Sequence, residues 1–144
     1  MAESDFVEIK KSEDALDGNR QIILCGFKTK DFVLFKKVMI KVGLKFSLLF
    51  VANSKDLKRI LSDINMESSR NKLEKFSVLP RAVIAGGISQ SEFFDLMSAV
   101  KKTSIKTPLW ATLTPTSLTW TLEALLDELK QEKLAMANQK NSLF

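Results

Sequence analysis

Turns at the ends of three predicted strands contain glycine, hydroxyl and lysine residues, which together can bind a small anion. Backbone N–H groups at a turn between a strand and a helix can hold a phosphate or a carboxylate. The spacing matches neither G-x-G-x-x-G nor the G-K-[ST] of a phosphate-binding loop. Tight turns and helix caps explain the same residues, so an anion or metabolite site is one hypothesis, and its candidate residues are Gly26, Lys28, Gly86, Gly87, Ser89 and Thr114.

Catalytic side chains are scarce in this sequence. It contains no His and no Tyr, and Cys25 is its only cysteine. This composition excludes Ser-His and Cys-His nucleophile pairs, a His general base and zinc sites that need His or several Cys. Cys25 lies in a predicted strand and is expected to be a buried, inert thiol. Carboxylates do not cluster at strand ends, so we expect no catalytic residue, no metal site and no cofactor.

Charge is distributed unevenly along the chain. Residues 1–17, here called the acidic segment, carry six acidic and two basic side chains, a net charge of −4. Residues 28–59 carry nine basic and two acidic side chains, a net charge of +7. A basic face can attract nucleic acid, but a solvated lysine-rich surface is favoured because paired RNA-binding aromatics are missing. The candidates for weak nucleic-acid binding are Lys36, Lys37, Lys41, Lys58 and Arg59.

Trp120 is a candidate anchor for a partner protein. On a last helix that begins at Pro115, it lies about 200° around the axis from Leu118, off the stripe of leucines. An exposed Trp there would bind a partner, whereas packing against residues 65–79 or the acidic segment would bury it, and the sequence favours neither. The leading hypothesis is a non-enzymatic protein-interaction or regulatory module that binds another protein or a second copy through Trp120, Glu123 and Asp127.

Alternating apolar runs and amphipathic stretches position these groups. Each predicted strand precedes a helix, and each helix begins at a residue that can cap it. The predicted strands are Gln21–Phe27, Phe46–Ala52, Arg81–Ile88 and Leu109–Leu113. The predicted caps are Thr29, Asn53 with Asp56, Ser89 with Glu92, and Thr114 with Pro115 at the first helical position.

The two halves of the chain match each other. When residues 22–65 are shifted by 61 positions onto 83–126, 8 of 44 positions are identical without a gap. A βαβα unit used twice predicts an α/β fold, a small, mainly parallel four-stranded sheet flanked by two helices on each face. We expect a flexible acidic tail over 1–20, one α/β domain over 21–134 and a flexible tail over 135–144. Within the domain, 21–65 and 81–134 are the repeats and 66–80 is a connector.

Four stretches of the second half carry a resemblance to a known family: Val83–Glu92, Ala111–Thr116, Trp120-Thr121-Leu122 and Leu125–Leu129. Through them the chain from Pro80 onward resembles a family known as a domain of unknown function, DUF3783. The family commonly has Asn in the turn before its Trp, where this chain has Ser117. The resemblance implies an α/β fold and brings no activity with it.

The targeting signals in the sequence are negative. The N-terminus is acidic and lacks a continuous apolar stretch, so it is neither a secretory signal nor an Arg-rich transit peptide. The longest apolar run, Leu48–Ala52, is too short to span a bilayer. We expect a cytoplasmic protein without a membrane span, or one of an organelle stroma or matrix if a presequence has been removed.

Overall fold

The computed structural model describes residues 20–44, 48–64 and 79–142, with side chains as far as residue 138. The acidic segment, most of the predicted connector and the last two residues lie outside the described residues. No described helix is long and apolar enough to cross a membrane. The elements are β1 (Gln21–Cys25), α1 (Thr29–Lys41), β2 (Leu48–Val51), a 3₁₀ helix (Ser54–Asp56), α2 (Leu61–Ile64), β3 (Ala82–Gly86), α3 (Gln90–Lys101), β4 (Leu109–Thr112), a second 3₁₀ helix (Ser117–Thr119) and α4 (Leu122–Ser142).

The four strands form one sheet in the order β2-β1-β3-β4. The outer pairs, β1 with β2 and β3 with β4, are parallel, as the alternation of strands and helices predicts. The central pair, β1 with β3, is antiparallel. The small, mainly parallel α/β sheet is therefore confirmed. Strand order was left open by the sequence, and the structure shows that the two halves meet through their first strands.

Two apolar cores lie on opposite faces of the sheet. On one face α1 and α3 cover Ile22, Leu24 and Val83. On the other face α2 and α4 cover Ile23 and Ile84. All five of these strand side chains are fully buried, and burial of one such side chain contributes about 1.5–3 kcal/mol. Both faces are apolar because helices pack on both, so the strands are continuous apolar runs.

The two halves are related by an approximate twofold axis. Ile23 of β1 faces Ile84 of β3 across the central pair, and these two residues correspond under the shift of 61 positions. The parallel pairs obey the same shift, because Gln21 opposite Leu48 in the first half becomes Ala82 opposite Leu109 in the second. The match found in the sequence thus extends to the registers of the strands.

Two ion pairs repeat this symmetry across the junction of the halves. Arg81, just before β3, is paired with Asp31 in the first turn of α1, at 2.8 Å. Arg20, just before β1, is paired with Glu92 in the first turn of α3. Each arginine therefore binds the first helix of the opposite half, as in an isologous interface between two subunits.

The environment of Glu92 favours its charged form. Burial by itself would raise the pKa of the Glu92 carboxyl, but hydrogen bonds from Ser89 and the neighbouring Arg20 outweigh burial, and the pKa lies below its ordinary value. The backbone N–H of Ser89 donates to Glu92 at 2.9 Å, and the backbone N–H of Glu92 donates to the Ser89 hydroxyl at 3.1 Å. The predicted capping box is confirmed, and so is the one of Asn53 with Asp56, which opens the first 3₁₀ helix.

Two predicted helix starts are wrong. α1 already includes Thr29, and Lys28 stands at its N-cap without a side-chain hydrogen bond. The last helix begins at Leu122 rather than at Pro115. The hydroxyl of Thr114 accepts from the Ser117 N–H at 3.0 Å, and the hydroxyl of Ser117 accepts from the Thr114 N–H at 2.9 Å. These reciprocal bonds close a tight turn, and the turn gives the backbone at Thr114 a hydrogen-bonded alternative to the start of a helix.

The real cap of α4 is Thr121, whose hydroxyl accepts from the Ala124 N–H at 3.1 Å. At its other end α4 continues to Ser142, through residues that the sequence suggested as a tail. Residues 131–138 are all exposed. The helix therefore continues well past its first two turns, which are the ones that help to form the core.

Candidate functional site

The six candidates for an anion site do not come together. Because β1 and β3 are antiparallel, the turn with Gly26 and Lys28 lies at one end of the sheet, and the turns that follow β3 and β4 lie at the opposite end. Ser89 is buried and serves as a cap. Thr114 is bound to Ser117. A metabolite site would need the hydrogen-bond donors of all three turns at one end of the sheet. The topology instead places one turn at one end and the other two turns at the opposite end.

Gly26 has a packing role at its turn. Its φ is +70°, and a Cβ built there would lie 2.6 Å from the Leu79 carbonyl oxygen and 2.7 Å from that of Pro80. Only glycine leaves room for the chain that enters β3. Both close neighbours are carbonyl oxygens, which repel an anion, so the surroundings of Gly26 on this side do not suit a phosphate or a carboxylate.

The segment Trp120-Thr121-Leu122 joins the two halves. Thr121 forms an antiparallel bridge with Ile60, its counterpart under the shift of 61. The Leu61 N–H donates to the Trp120 carbonyl at 2.8 Å, and the Leu122 N–H donates to the Arg59 carbonyl at 3.0 Å. This pairing is reciprocal about the same axis as the central strands, so the motif is a structural junction.

The predicted partner-binding set is largely engaged within the chain. Trp120 precedes α4, is half-buried and packs against the core beneath that helix. Glu123 accepts a hydrogen bond from Lys58 at 2.7 Å, which raises the pKa of Lys58. Asp127 is exposed and lies 3.9 Å from Lys130. Neither Trp120 nor Glu123 offers a free anchor on an outer helix face.

The predicted basic residues are divided between the two faces of the sheet. Lys58 is bound to Glu123, and Arg59 lies 3.2 Å from Asp56 and stacks over the ring of Phe50. These contacts belong to the face covered by α2 and α4. Lys36, Lys37 and Lys41 lie on α1, which covers the other face. The five residues therefore do not form one continuous basic surface.

The outer side of α1 and α3 carries exposed apolar side chains among lysines. Val33, Ile40 and Phe94 are 46%, 60% and 53% exposed. Val33 and Ile40 are seven residues apart and so lie on one line along α1, and Phe94 is the counterpart of Val33 on α3. Together with the exposed lysines around them these residues form what we call the α1–α3 face; its lysines are Lys30, Lys36, Lys37, Lys41, Lys101 and Lys102.

The negative charge on these two helices is mostly neutralised. Of their three acidic side chains, Asp31 and Glu92 are held in ion pairs with arginines of the opposite half. Asp95 is exposed. The α1–α3 face therefore combines a clear excess of positive charge with three large apolar groups in contact with water. Sequence periodicity could have found these groups, because each lies opposite the core positions of its helix.

The surface depressions beside β4 are weaker candidates for a binding site than the α1–α3 face. One of about 580 Å³ is lined by Pro108, Trp110 and Met136, and half-buried Trp110 stacks edge-on against Phe93. Another of about 620 Å³ contains Gly26 and the lysines of α4. Among the described residues, no three His, Cys, Asp or Glu side chains come together to hold a metal ion.

Cys25 matches its expected environment. The thiol is fully buried beneath α2 and α4. Burial, with a smaller contribution from Asp56, raises the pKa of Cys25 to about 12. The group is therefore protonated at neutral pH, and a protonated thiol is neither a nucleophile nor a metal ligand.

The fold and this surface define a small α/β body with internal twofold symmetry and a basic, partly apolar outer face. A family model described as a domain of unknown function, DUF3783, matches residues 81–136. The matched stretch runs from Arg81 through β3, α3 and β4 into α4, which is the second half of the body, so the resemblance found in the sequence is confirmed for that half. No curated protein and no solved structure matches the chain.

Proposed function

We propose that this chain is a non-enzymatic protein-interaction module, and that its α1–α3 face binds an acidic segment of another protein that also carries apolar side chains. One observation carries the proposal: Val33 and Ile40 stand exposed among lysines along α1, and Phe94 stands exposed on the neighbouring α3, where it also lines a depression with Met97 and Trp110. A surface that combines lysines with exposed apolar side chains fits a partner segment that carries acidic and apolar side chains.

The two properties contribute in different ways. Completing the burial of one half-exposed apolar side chain contributes about 1 kcal/mol, roughly half of the value for a full transfer from water. Three of them are enough for a specific but weak contact. The lysines act mainly by steering an acidic partner to the face, and they make its association rate fall as salt rises.

Nucleic acid is the less favoured ligand. Of the exposed large apolar groups on the α1–α3 face, two are aliphatic and only Phe94 is aromatic. Single-stranded nucleic acid is bound by several aromatic rings on which bases stack. Lys58 and Arg59, which would extend a basic track, lie on the other face in ion pairs.

A synthetic probe tests the proposal. The probe is a peptide of the length of the acidic segment, with Glu and Asp among Leu and Phe at helical spacing. It is titrated by fluorescence anisotropy into a full-length variant whose six acids in residues 1–17 are changed to amides, here called the six-amide variant, so that the chain's own carboxylates cannot compete. We expect saturable binding that weakens with salt.

The matched variants are Ile40→Glu on the face and Leu134→Glu on the exposed later part of α4, because both side chains are about equally exposed, at 60% and 63%. Ile40→Glu should weaken binding about tenfold, which corresponds to about 1.4 kcal/mol. Leu134→Glu should leave the affinity unchanged. Equal affinities for the two variants, or no saturable binding, would contradict the proposal. Tighter binding of single-stranded DNA than of the probe would favour the nucleic-acid alternative.

A further inference from the structure

We infer that the acidic segment of the chain itself, residues 1–17, occupies the α1–α3 face and competes with the partner for it. This inference rests on the proposed function, since it concerns the same surface. It makes the chain a self-regulating module, in which the partner must displace an internal ligand of the same chemistry.

The point where the acidic segment joins the body lies next to this face. Arg20, three residues after Asp17, is ion-paired with Glu92 in the first turn of α3. Phe94 follows two residues after Glu92 but about 200° around the axis of α3, so the attachment lies beside the helix that carries Phe94 and not beside its ring. The Arg20 carbonyl also accepts from the Leu48 N–H at 2.8 Å, and the connection that leads from the end of α1 arrives at Leu48. The segment therefore enters the body between the start of α3 and the end of α1.

Charge and length both fit this face. The segment has a net charge of −4, and the last two turns of α1 present Lys36, Lys37 and Lys41 to solvent. The 13 residues of α1 span about 20 Å. Seventeen residues reach about 55 Å when fully extended, so the segment can cover the whole helix from its point of attachment.

The composition of the segment also matches the apolar part of the face. Phe6, Val7 and Ile9 stand among the acids Asp5 and Glu8. A purely acidic segment would satisfy the lysines and leave Val33, Ile40 and Phe94 in water. An anionic membrane is the other surface that exposed apolar groups and lysines can bind. The acidic segment argues against it, because six carboxylates joined beside the face would be repelled by anionic lipids.

The first experiment compares amide NMR spectra of the full-length wild type and the six-amide variant. We expect shift differences concentrated in α1 and α3, which vanish at about 0.5 M salt because screening then acts within a few ångströms. Lys37→Glu combined with Lys41→Glu should abolish the differences. The control, Lys130→Glu combined with Lys133→Glu on the exposed part of α4, should keep them. Differences confined to residues adjoining Arg20, or equal effects of the two double variants, would overturn the inference.

The second experiment separates this inference from the proposed function. A tethered segment has an effective concentration on the order of 1 mM, so one that binds in trans at about 0.1 mM raises the apparent dissociation constant of the synthetic probe about tenfold in the wild type. Equal affinities of the wild type and the six-amide variant for the probe would refute internal docking and leave the proposed function standing. Failure of the six-amide variant to bind the probe refutes the proposed function, and its binding to phosphatidylserine vesicles instead would assign the face to a membrane.

Discussion

The close packing at Gly26 yields a quantitative prediction about stability. Gly26 and Gly43 both have a positive φ, +70° and +85°. A Cβ on Gly26 meets three backbone atoms between 2.6 and 2.8 Å away, whereas a Cβ on Gly43 meets nothing within 4 Å. Changing each to Ala therefore adds the same methyl group in similar backbone strain, and only one of the two sites is obstructed.

The two sites separate the cost of strain from the cost of overlap. A left-handed conformation costs Ala about 1–2 kcal/mol, and the reduced freedom of the unfolded chain offsets about 0.4–1 kcal/mol of this. Gly43→Ala should thus lower the free energy of unfolding by about 1 kcal/mol. Gly26→Ala has the same strain plus overpacking against backbone that cannot rotate away, about 1–3 kcal/mol more. We expect the free energy of unfolding of Gly26→Ala to be about 2 kcal/mol lower than that of Gly43→Ala.

Urea unfolding followed by tryptophan fluorescence measures both values. Trp110 and Trp120 lie on opposite faces of the sheet, so a single transition reports on the whole body. With a slope of about 2 kcal/mol per molar urea, the midpoints of the two variants should differ by about 1 M. Equal midpoints would show that the chain at Leu79 and Pro80 yields freely, and the packing role assigned to Gly26 would be wrong.

Three further predictions concern Cys25, Glu92 and the end of α4. Because burial raises the pKa of Cys25 to about 12, a thiol reagent at pH 8 should label the folded chain only as fast as it opens, and labelling within seconds in native buffer would contradict this burial. The lowered pKa of Glu92 stabilises the fold above its unfolded value of about 4.3, and this stabilisation is lost as the pH falls through the lower folded pKa. The difference in unfolding free energy between wild type and Glu92→Gln should therefore shrink below about pH 4, and a difference that is constant from neutral to acidic pH would disprove the shift. Truncation after Lys130 removes residues 131–144, of which 131–138 are all exposed, and should change thermal stability by less than about 0.5 kcal/mol, whereas a cooperative loss of structure would refute that expectation.

The elements that depend on local patterns are those that the sequence predicted best. All four strands and two capping boxes follow from apolar runs and from hydroxyl or amide residues three positions before an acid. The antiparallel meeting of β1 and β3 depends on contacts between residues 57 to 65 positions apart, on which periodicity says nothing. At Thr114 the local rule failed because a second hydroxyl, on Ser117, offered the backbone a tighter alternative.

The candidate surface was harder to predict than the fold. Trp120 drew attention because tryptophan is a common anchor, yet the backbone bonds of Trp120 with Leu61 and of Leu122 with Arg59 place it before α4, where it is half-buried. Val33, Ile40 and Phe94 resemble core residues in composition. Only their position opposite the buried side of each helix shows that they face water, and whether anything covers them depends on segments distant in the chain.

The internal twofold axis also affects how the sequences of the two halves can diverge in evolution. Halves joined in one chain meet at a local concentration that dilution cannot reduce, so their contact need not be strong enough to hold separate subunits together. Each half is thereby free to specialise while the other maintains the scaffold. The chain shows such a division: residues 20–64 carry ten basic and three acidic side chains, whereas residues 81–142 carry seven and six.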